Sequence, residues 1–272
     1  MLFLLLSIAC SVLIANLLML FNRKKQINML PVFLGNYFVA SIYSFASLPA
    51  NTTYPGGFDL WFGVLCGALF LGNFWVFQRC IVSNGLSLSV GVMRIAMIVP
   101  VLLAVLVFGE SLSVWNKLGI VLGLAAFGLK TNPKELHKLL WVLALFILSG
   151  LTDASLKIYK ELGSGAEPVF LYIIFSAAFL FTLLAILLGK VSIPYISILY
   201  GFILGIPNQL STLFFLKGLA AVPAAIAYPV VAVSIVLFSI ISDIIFWKKR
   251  VGWRDAALWL LLIVSLLLLN WR

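Results

Sequence analysis

The fold of this protein is decided by residues 85–130, which read GLSLSVGVMRIAMIVPVLLAVLVFGESLSVWNKLGIVLGLAAFGLK. The stretch contains two apolar runs, 86–108 and 114–130, and a short polar elbow, Gly109-Glu110-Ser111, lies between them. An α-helix needs about 20 mostly apolar residues to cross a bilayer, with a range of roughly 17 to 25. The stretch therefore predicts two consecutive membrane-spanning helices joined by a tight turn.

Composition extends this prediction to the whole chain. Hydrophobic residues make up 64% of the 272 residues and charged residues 10%, and the mean hydropathy is +1.20. A soluble protein of this size could not hide so much apolar surface. Long apolar runs favour helices over a membrane β-barrel, whose strands are short and alternate in polarity. The sequence predicts an all-α integral membrane protein.

Ten membrane-spanning helices are predicted from the apolar runs and from the short links between them. The expected spans are 2–21, 30–48, 59–80, 86–108, 114–130, 138–157, 166–188, 195–216, 223–247 and 253–270. Basic residues give the chain a formal net charge of +10, and they lie between the spans without forming one face, which argues against nucleic-acid binding. Most of them, including the clusters 23–25 and 248–250, follow odd-numbered spans. Because basic links stay in the cytoplasm, both termini are predicted outside it.

A shift of 138 residues aligns the two halves of the chain without a gap. Matching positions include Gly63 and Gly201, Gly67 and Gly205, Phe108 and Phe246, and Trp115 and Trp253. Each half, 1–130 and 131–272, holds five predicted helices. Since five is odd, the second half must be inverted relative to the first. Inverted repeats are typical of secondary transporters, whose substrate site lies near the bilayer midplane.

The elbow and its surroundings also carry a resemblance to a known family. Pro100 precedes the elbow 108–113, which reads Phe-Gly-Glu-Ser-Leu-Ser, and Gly119 and Gly123 follow it. This pattern resembles the EamA-like members of the drug/metabolite transporter superfamily. The resemblance implies a ten-helix carrier of small organic solutes, a multi-pass protein of the bacterial inner membrane. Lys248 stands where the family often repeats the elbow glutamate, and many relatives keep both termini in the cytoplasm, opposite to the charge pattern here.

Arg94 is the first candidate for a substrate-binding residue. It is a permanent cation inside the run 86–108, with about two turns of apolar or small residues on each side. A charge at such a depth costs at least ~2.5–3.5 kcal/mol and marks a functional site by default. It could bind an anionic group of a solute, or pair with a carboxylate for which solute and protons compete. The alternative is a fixed ion pair that only sets packing.

Asp153 is the predicted partner of Arg94. It lies in the sequence Ser149-Gly150-Leu151-Thr152-Asp153, and Lys157 follows one helical turn later. One interpretation is a local pair between Asp153 and Lys157, because residues four apart are neighbours on a helix. The other is a carboxylate that faces a central cavity and couples transport to protons.

Two prolines are predicted to kink their helices, Pro100 and Pro207. Pro207 is followed by Asn208 and Gln209, so one segment of the predicted span 195–216 offers a freed carbonyl and two amides. Broken helices of this kind bind substrates in other carriers. The alternative is that the amides bond only to neighbouring helices.

Asn73 and Tyr228 complete the predicted substrate-binding residues. Asn73 is a polar residue within the span 59–80, and Tyr228 lies early in 223–247. Tyr228 could stack on a ring of the solute or donate a hydrogen bond, and it could equally be an interfacial anchor. Glu110 is expected to cap the start of the helix 114–130, because the N-terminal end of a helix favours anionic groups.

These residues favour a secondary transporter that works by alternating access. The chain has no G-x-x-x-x-G-K-[ST] motif for ATP. We expect no cofactor and no metal, since the cysteines show no ligand spacing and His137, the only histidine, lies in the basic link 130–138. The expected partners are a small-molecule solute, the lipid bilayer and a coupled proton, with the protein a monomer or weak homodimer. The alternative is a membrane enzyme or scaffold subunit for lipid-linked substrates, which would require a cluster of catalytic side chains at one interface.

Overall fold

The computed structural model describes residues 1–22, 28–49, 55–84, 86–130, 138–246 and 253–271. Within these ranges all regular secondary structure is α-helical. The helices are α1 (Leu2–Asn22), α2 (Met29–Ala46), α3 (Gly57–Asn84), α4 (Leu86–Ile95), α5 (Ile98–Leu106), α6 (Val114–Lys130), α7 (Leu139–Leu162), α8 (Glu167–Leu188), α9 (Tyr195–Leu219), α10 (Ala224–Ile245) and α11 (Trp253–Leu269).

The helices have the length and composition of membrane-spanning segments. Seven segments of the described chain are long and apolar enough to cross a bilayer: Met29–Ala46, Gly57–Asn84, Leu88–Leu106, Leu139–Leu162, Glu167–Leu188, Tyr195–Leu219 and Ala224–Ser242. Three shorter helical segments, Leu2–Leu18, Val114–Gly128 and Ala257–Leu269, are also apolar. The predicted class, an all-α membrane protein, is confirmed at this level. Ten crossings and an inverted repeat stay predictions.

Some helices extend past their predicted bounds. α3 continues to Asn84, beyond the expected end at residue 80, and α7 continues to Leu162, beyond residue 157. The added turns contain Lys160 in α7, and lysine has a good helix propensity. Hydropathy marks only the part of a helix that suits the bilayer interior, so polar end turns escape a prediction based on apolar runs.

The chain divides into two compact units, and each combines segments from both predicted repeats. The first unit contains Met1–Leu71 and Ile158–Gly218, and the second contains Gly72–Lys157 and Leu219–Arg272. The first holds α1, α2, α8 and α9 with the beginning of α3 and the end of α7. The second holds α4, α5, α6, α10 and α11 with the remainder of α3 and α7.

Close helix packing in the first unit depends on glycine. A methyl group at Gly67 would collide with Ala177 and with the main chain of α8. In the same way, the main chains of α2 and α9 meet at Gly35 and Gly201. Small residues at such spacing let membrane helices approach closely, which gains dispersion contacts that larger side chains would prevent.

The second unit uses the same device together with buried hydrogen bonds. α6 and α11 pack closely at Gly119, where a side chain would strike Leu269. Ser265 Oγ donates to the carbonyl oxygen of Gly119 at 2.7 Å, and Asn116 Nδ2 donates to that of Leu269 at 3.0 Å. These bonds satisfy buried polar groups and fix the register of α6 against α11.

Candidate functional site

A break divides the predicted span 86–108 into α4 and α5, and it lies beside Arg94. α4 ends one residue after Arg94, and α5 begins two residues before Pro100. Across the break, the N–H of Val99 donates to the carbonyl oxygen of Ala96 at 3.0 Å, a bond to the third preceding residue that tightens the turn. Pro100 explains the break, because it offers no N–H to the carbonyl of Ala96 and its ring crowds that carbonyl.

The charge of Arg94 is balanced by that of Asp153 on α7. The two side chains interact electrostatically, and both are half-buried. α7 can reach the break because Gly150 has no side chain; a methyl group there would collide with Val99 and approach the carbonyl of Ala96. Asp153 lies one turn after Gly150, so this close approach brings its carboxylate within electrostatic range of the guanidinium.

The guanidinium of Arg94 keeps unused hydrogen-bonding capacity. Its Nε is buried and has no hydrogen-bond partner in the part of the chain that the structure describes. A buried donor left without a partner costs about 1–3 kcal/mol, and more when it belongs to a charged group. The arrangement is therefore a pair of opposite charges in which the cation retains a donor for another acceptor.

α7 brings side chains from two further helices to the same place. Ser149 Oγ donates to Asn73 Oδ1 on α3 at 2.7 Å. The Tyr228 hydroxyl on α10 donates to the backbone carbonyl oxygen of Asp153 at 2.6 Å. Ser149 and Asp153 are one helical turn apart, so these contacts and Arg94 surround a single turn of α7. We call Asn73, Arg94, Ser149, Asp153 and Tyr228 the α7 polar cluster.

Four of the predicted substrate-binding residues thus lie together in the second unit. The sequence marks each of them separately, as a polar or aromatic residue in an apolar run. Ser149 is the addition that the structure makes, and its signal in the sequence was its spacing of four residues from Asp153. Tyr228 is buried and its hydroxyl proton is directed to the main chain of Asp153.

Glu110 takes a different role from the predicted one. Lys157 Nζ donates to its carboxylate at 2.6 Å, and the backbone N–H groups of Ala224 and Ala225 donate at 3.1 and 2.7 Å. Glu110 therefore caps the start of α10, and the prediction that it caps α6 is wrong. The first N–H groups of a helix lack intrahelical partners and attract anions, and Pro223, which precedes α10, has no side-chain acceptor to serve them.

The start of α6 is capped by its own residues. The N–H of Asn116 donates to Ser113 Oγ at 3.1 Å, and the N–H of Ser113 donates to Asn116 Oδ1 at 3.2 Å. This reciprocal pair is a capping box with asparagine in the place of glutamate or glutamine. Glu110 is consequently available to a helix that is distant in sequence.

Lys157 joins the elbow to α7. Its ammonium group bonds to Glu110 and lies 5.1 Å from the ring centroid of Phe108, and its side chain is only 6% exposed. Burial opposes ionisation of Glu110, but the hydrogen bonds from Lys157 and the two α10 N–H groups outweigh it and lower the pKa of Glu110. The elbow carboxylate is therefore ionised and held by α7 and α10 together.

The other predicted residues lie in the first unit. Pro207, Asn208 and Gln209 are in the middle of α9, which continues through the proline. Asn208 Nδ2 and both amide atoms of Gln209 are buried and have no hydrogen-bond partner among the described residues. The same holds for both amide atoms of Asn36 on α2, a residue that is not among the sequence predictions. Its signal was that it is the single amide residue in the span 30–48.

Some predictions concern residues outside the described ranges. These are the basic clusters at 23–25 and 248–250 and the link that contains His137.

Comparison with known proteins identifies a protein of similar fold but does not indicate a function. No family model matches the chain. An uncharacterized protein of Haemophilus influenzae (strain ATCC 51907 / DSM 11121 / KW20 / Rd) is 26% identical over 281 residues, which cover 96% of this chain and 93% of that protein. A solved structure described as "Crystal structure of protein" aligns with a TM-score of 0.76 at 13% identity, over 98% of this chain and 96% of the other. The chain therefore shares its fold, over almost its whole length, with a protein of known structure.

Proposed function

We propose that this protein is a secondary transporter of a small organic solute, driven by a solute or proton gradient and not by ATP. On this proposal it is an EamA-like carrier of the drug/metabolite transporter superfamily. Its ten crossings form two inverted five-helix repeats in the bacterial inner membrane, and both termini lie outside the cytoplasm. The solute carries a carboxylate or another anionic group.

The observation that carries the proposal is the Arg94–Asp153 pair in helices of membrane-spanning length. Placing these charges among apolar helices is costly, and their attraction does not satisfy Arg94 Nε. A charge pair that served packing alone would be more stable if all of its hydrogen-bond donors had acceptors. A buried cation with an unused hydrogen-bond donor is suited to reversible binding of a ligand that supplies an acceptor.

The helix break beside Arg94 supports the same function. Discontinuous helices in membrane carriers bring main-chain polar groups and helix ends to the substrate at mid-membrane depth. Here the break separates α4 from α5 within the span Leu88–Leu106. A helix with a preformed break can change its direction without disrupting a full set of hydrogen bonds.

The geometry suggests how the solute and a proton are exchanged. An anionic group would accept from Arg94 Nε in competition with the Asp153 carboxylate. Asn73 Oδ1 is occupied by Ser149, which leaves the Asn73 amide N–H groups to donate to the same solute. Asp153, once its cation is shared with the solute, becomes the group that takes up a proton, so that solute and proton binding are linked.

The proposal is tested by a thermal-shift screen of the purified protein against classes of metabolites, followed by uptake of the stabilising solute into proteoliposomes. A ligand that prefers the folded state raises the melting temperature. Arg94→Lys keeps the charge and removes the planar fork of donors, so we expect uptake to fall at least about tenfold. Arg79→Lys is the matched control, because Arg79 is exposed and lies 5.5 Å from the Trp75 ring centroid near the end of α3.

The outcomes separate the alternatives. Uptake lost in Arg94→Lys and kept in Arg79→Lys, with both variants folded, supports the proposal. Unchanged uptake in Arg94→Lys refutes the role of Arg94. Chemical conversion of the stabilising solute without its movement across the membrane refutes the transporter in favour of an enzyme.

A further inference from the structure

The interface between α2 and α9 in the first unit carries polar groups that the proposed transport site does not use. α9 presents Gly201 and Gly205 to α2. The α2 residues that lie against these glycines are Val32, Gly35, Asn36 and Val39. Their spacing of three, four and seven residues defines one face of a helix. Asn36 is therefore in the contact face of α2, between two apolar residues.

The same face of α9 continues with two more amides. Asn208 and Gln209 follow Gly205 by three and four residues, so they lie on the next turn of the face that meets α2. The two helices run in the same direction, because the contact advances along α2 as it advances from Gly201 to Gly205. Side chains of a helix lean toward its N-terminus, which directs the Gln209 amide back toward the turn that Asn36 contacts.

Five amide atoms of these three residues have no hydrogen-bond partner within the described chain. Asn36 and Gln209 are fully buried, and both polar atoms of each are unpartnered, as is Asn208 Nδ2. The residues lie well inside α2 and α9, both of which are long and apolar enough to cross a membrane. Amides at such positions ordinarily bond across the helix interface. Here the helical spacing assigns them to one interface, and the unpartnered atoms do not bond to each other.

The set of orphaned atoms indicates the chemistry of a ligand. It comprises amide N–H donors on all three residues and amide oxygens on Asn36 and Gln209, with no ionised group among them. A bound cation would contact the amide oxygens but leave the N–H donors without acceptors. A bound anion would accept from the N–H groups but leave the oxygens without donors. We propose that Asn36, Asn208 and Gln209 form a binding site for an uncharged group with adjacent donor and acceptor atoms, such as a carboxamide or the edge of a nucleobase. This site goes beyond the proposed transport function and does not depend on it.

The test is binding of uracil and nicotinamide to the full-length purified protein, read by melting temperature and by calorimetry. Each probe is paired with an analogue that lacks the donor, 1,3-dimethyluracil or N,N-diethylnicotinamide. We expect the two parent probes to raise the melting temperature in a concentration-dependent way and the alkylated analogues to leave it unchanged. Asn36→Leu and Gln209→Met remove the polar atoms with little change of volume, and each should weaken probe binding by about tenfold or more.

The matched control is Ser41→Ala, which removes another polar group of α2. Ser41 Oγ already bonds to Ser176 Oγ at 2.6 Å, so its loss should leave probe binding unchanged. Two independent variants guard against one that fails to fold, which size-exclusion elution and melting will show. The proposal is overturned if no probe shifts the melting temperature of the wild-type protein. It is also overturned if sodium chloride, compared with choline chloride, is the only stabilising addition, or if folded Asn36→Leu and Gln209→Met bind the probes like the wild type.

Discussion

Removal of the Glu110 carboxylate should destabilise the protein far more than the loss of an ordinary surface charge. Glu110 accepts one bond from Lys157 and two from the first N–H groups of α10, at 2.6, 3.1 and 2.7 Å. The side chain of Glu110 is 15% exposed and that of Lys157 is 6% exposed. Glu110→Ala therefore leaves a buried ammonium group and an uncapped helix end.

The magnitude follows from these contacts. Removing one partner of a buried ion pair costs about 3–5 kcal/mol, and the partial exposure of Glu110 places the value near the lower end. We expect Glu110→Ala to lower the free energy of unfolding by about 3 kcal/mol. Glu110→Gln keeps an oxygen acceptor and loses the charge, so it should cost about 1.5 kcal/mol, the lower value for a hydrogen bond to a charged group.

The assay is unfolding in mixed micelles by titration with sodium dodecyl sulfate, followed by tryptophan fluorescence. Glu167→Gln is the matched control, because Glu167 forms a 2.7 Å pair with Lys160 whose side chains are 27% and 24% exposed. Such a pair contributes at most about 1 kcal/mol. The double variant Glu110→Gln/Lys157→Met should be more stable than the sum of the single variants by about 1.5 kcal/mol. The predicted role of Glu110 would be contradicted if the changes in unfolding free energy of the two single variants were additive. It would also be contradicted if Glu110→Gln destabilised the protein no more than Glu167→Gln.

The same carboxylate predicts a dependence of stability on pH. The pKa of Glu110 is lower in the folded protein than its ordinary value of 4.5. A depressed carboxyl pKa adds stability that is complete above the unfolded pKa and is lost as the pH falls through the folded pKa. The difference in unfolding free energy between wild type and Glu110→Gln should therefore be constant between about pH 6 and 8 and shrink below about pH 4.5. A difference that is independent of pH in this acidic range would exclude an ionised Glu110 as its source.

Three further predictions concern the proposed transport site and the predicted topology. Asp153→Asn should abolish uptake driven by a pH gradient and keep counterflow exchange, and normal pH-driven uptake would show that Asp153 carries no proton. Gly150→Leu should lower the melting temperature and uptake together, because its side chain would collide with Val99 at the helix break, and a stability loss below about 1 kcal/mol would contradict that packing. Cysteines placed at Lys25 and Thr53 should label from outside intact cells only at Thr53, and labelling at Lys25 would reverse the predicted orientation.

Most residues of the α7 polar cluster can be predicted from the sequence, because polar side chains are rare and costly in membrane-spanning segments. Arg94, Asp153 and Asn73 stand out in runs where a polar group is costly, and each could be selected without knowing its neighbours. The sequence does not show that α7 brings the cluster together, because Ser149 and Gly150 are small residues that resemble ordinary packing positions. Their role appears only when the approach of the α4–α5 break to α7 is known.

The wrong prediction for Glu110 shows that its partners are distant in sequence. Glu110 is next to α6 in sequence, and an anionic residue there is a natural cap for that helix. The competing start of α10 lies more than a hundred residues away, and no pattern of spacing connects the two. Pro100 predicts a kink, and the helix break lies a few residues upstream of it, because proline acts on the carbonyl four residues before it. Asn36 escaped notice because a lone amide in an apolar run has no motif.

The double attachment between α7 and α10 has a mechanical consequence. Tyr228 ties α10 to α7 at Asp153, and Glu110 ties the first turn of α10 to Lys157, one turn further along α7. Two attachments one helical turn apart oppose both translation and rotation of α10 along α7. We therefore expect these two helix segments to move as one rigid unit. On the proposed transport mechanism, any separation of Arg94 from Asp153 should therefore come from α4, at the interrupted hydrogen bonding ahead of Pro100.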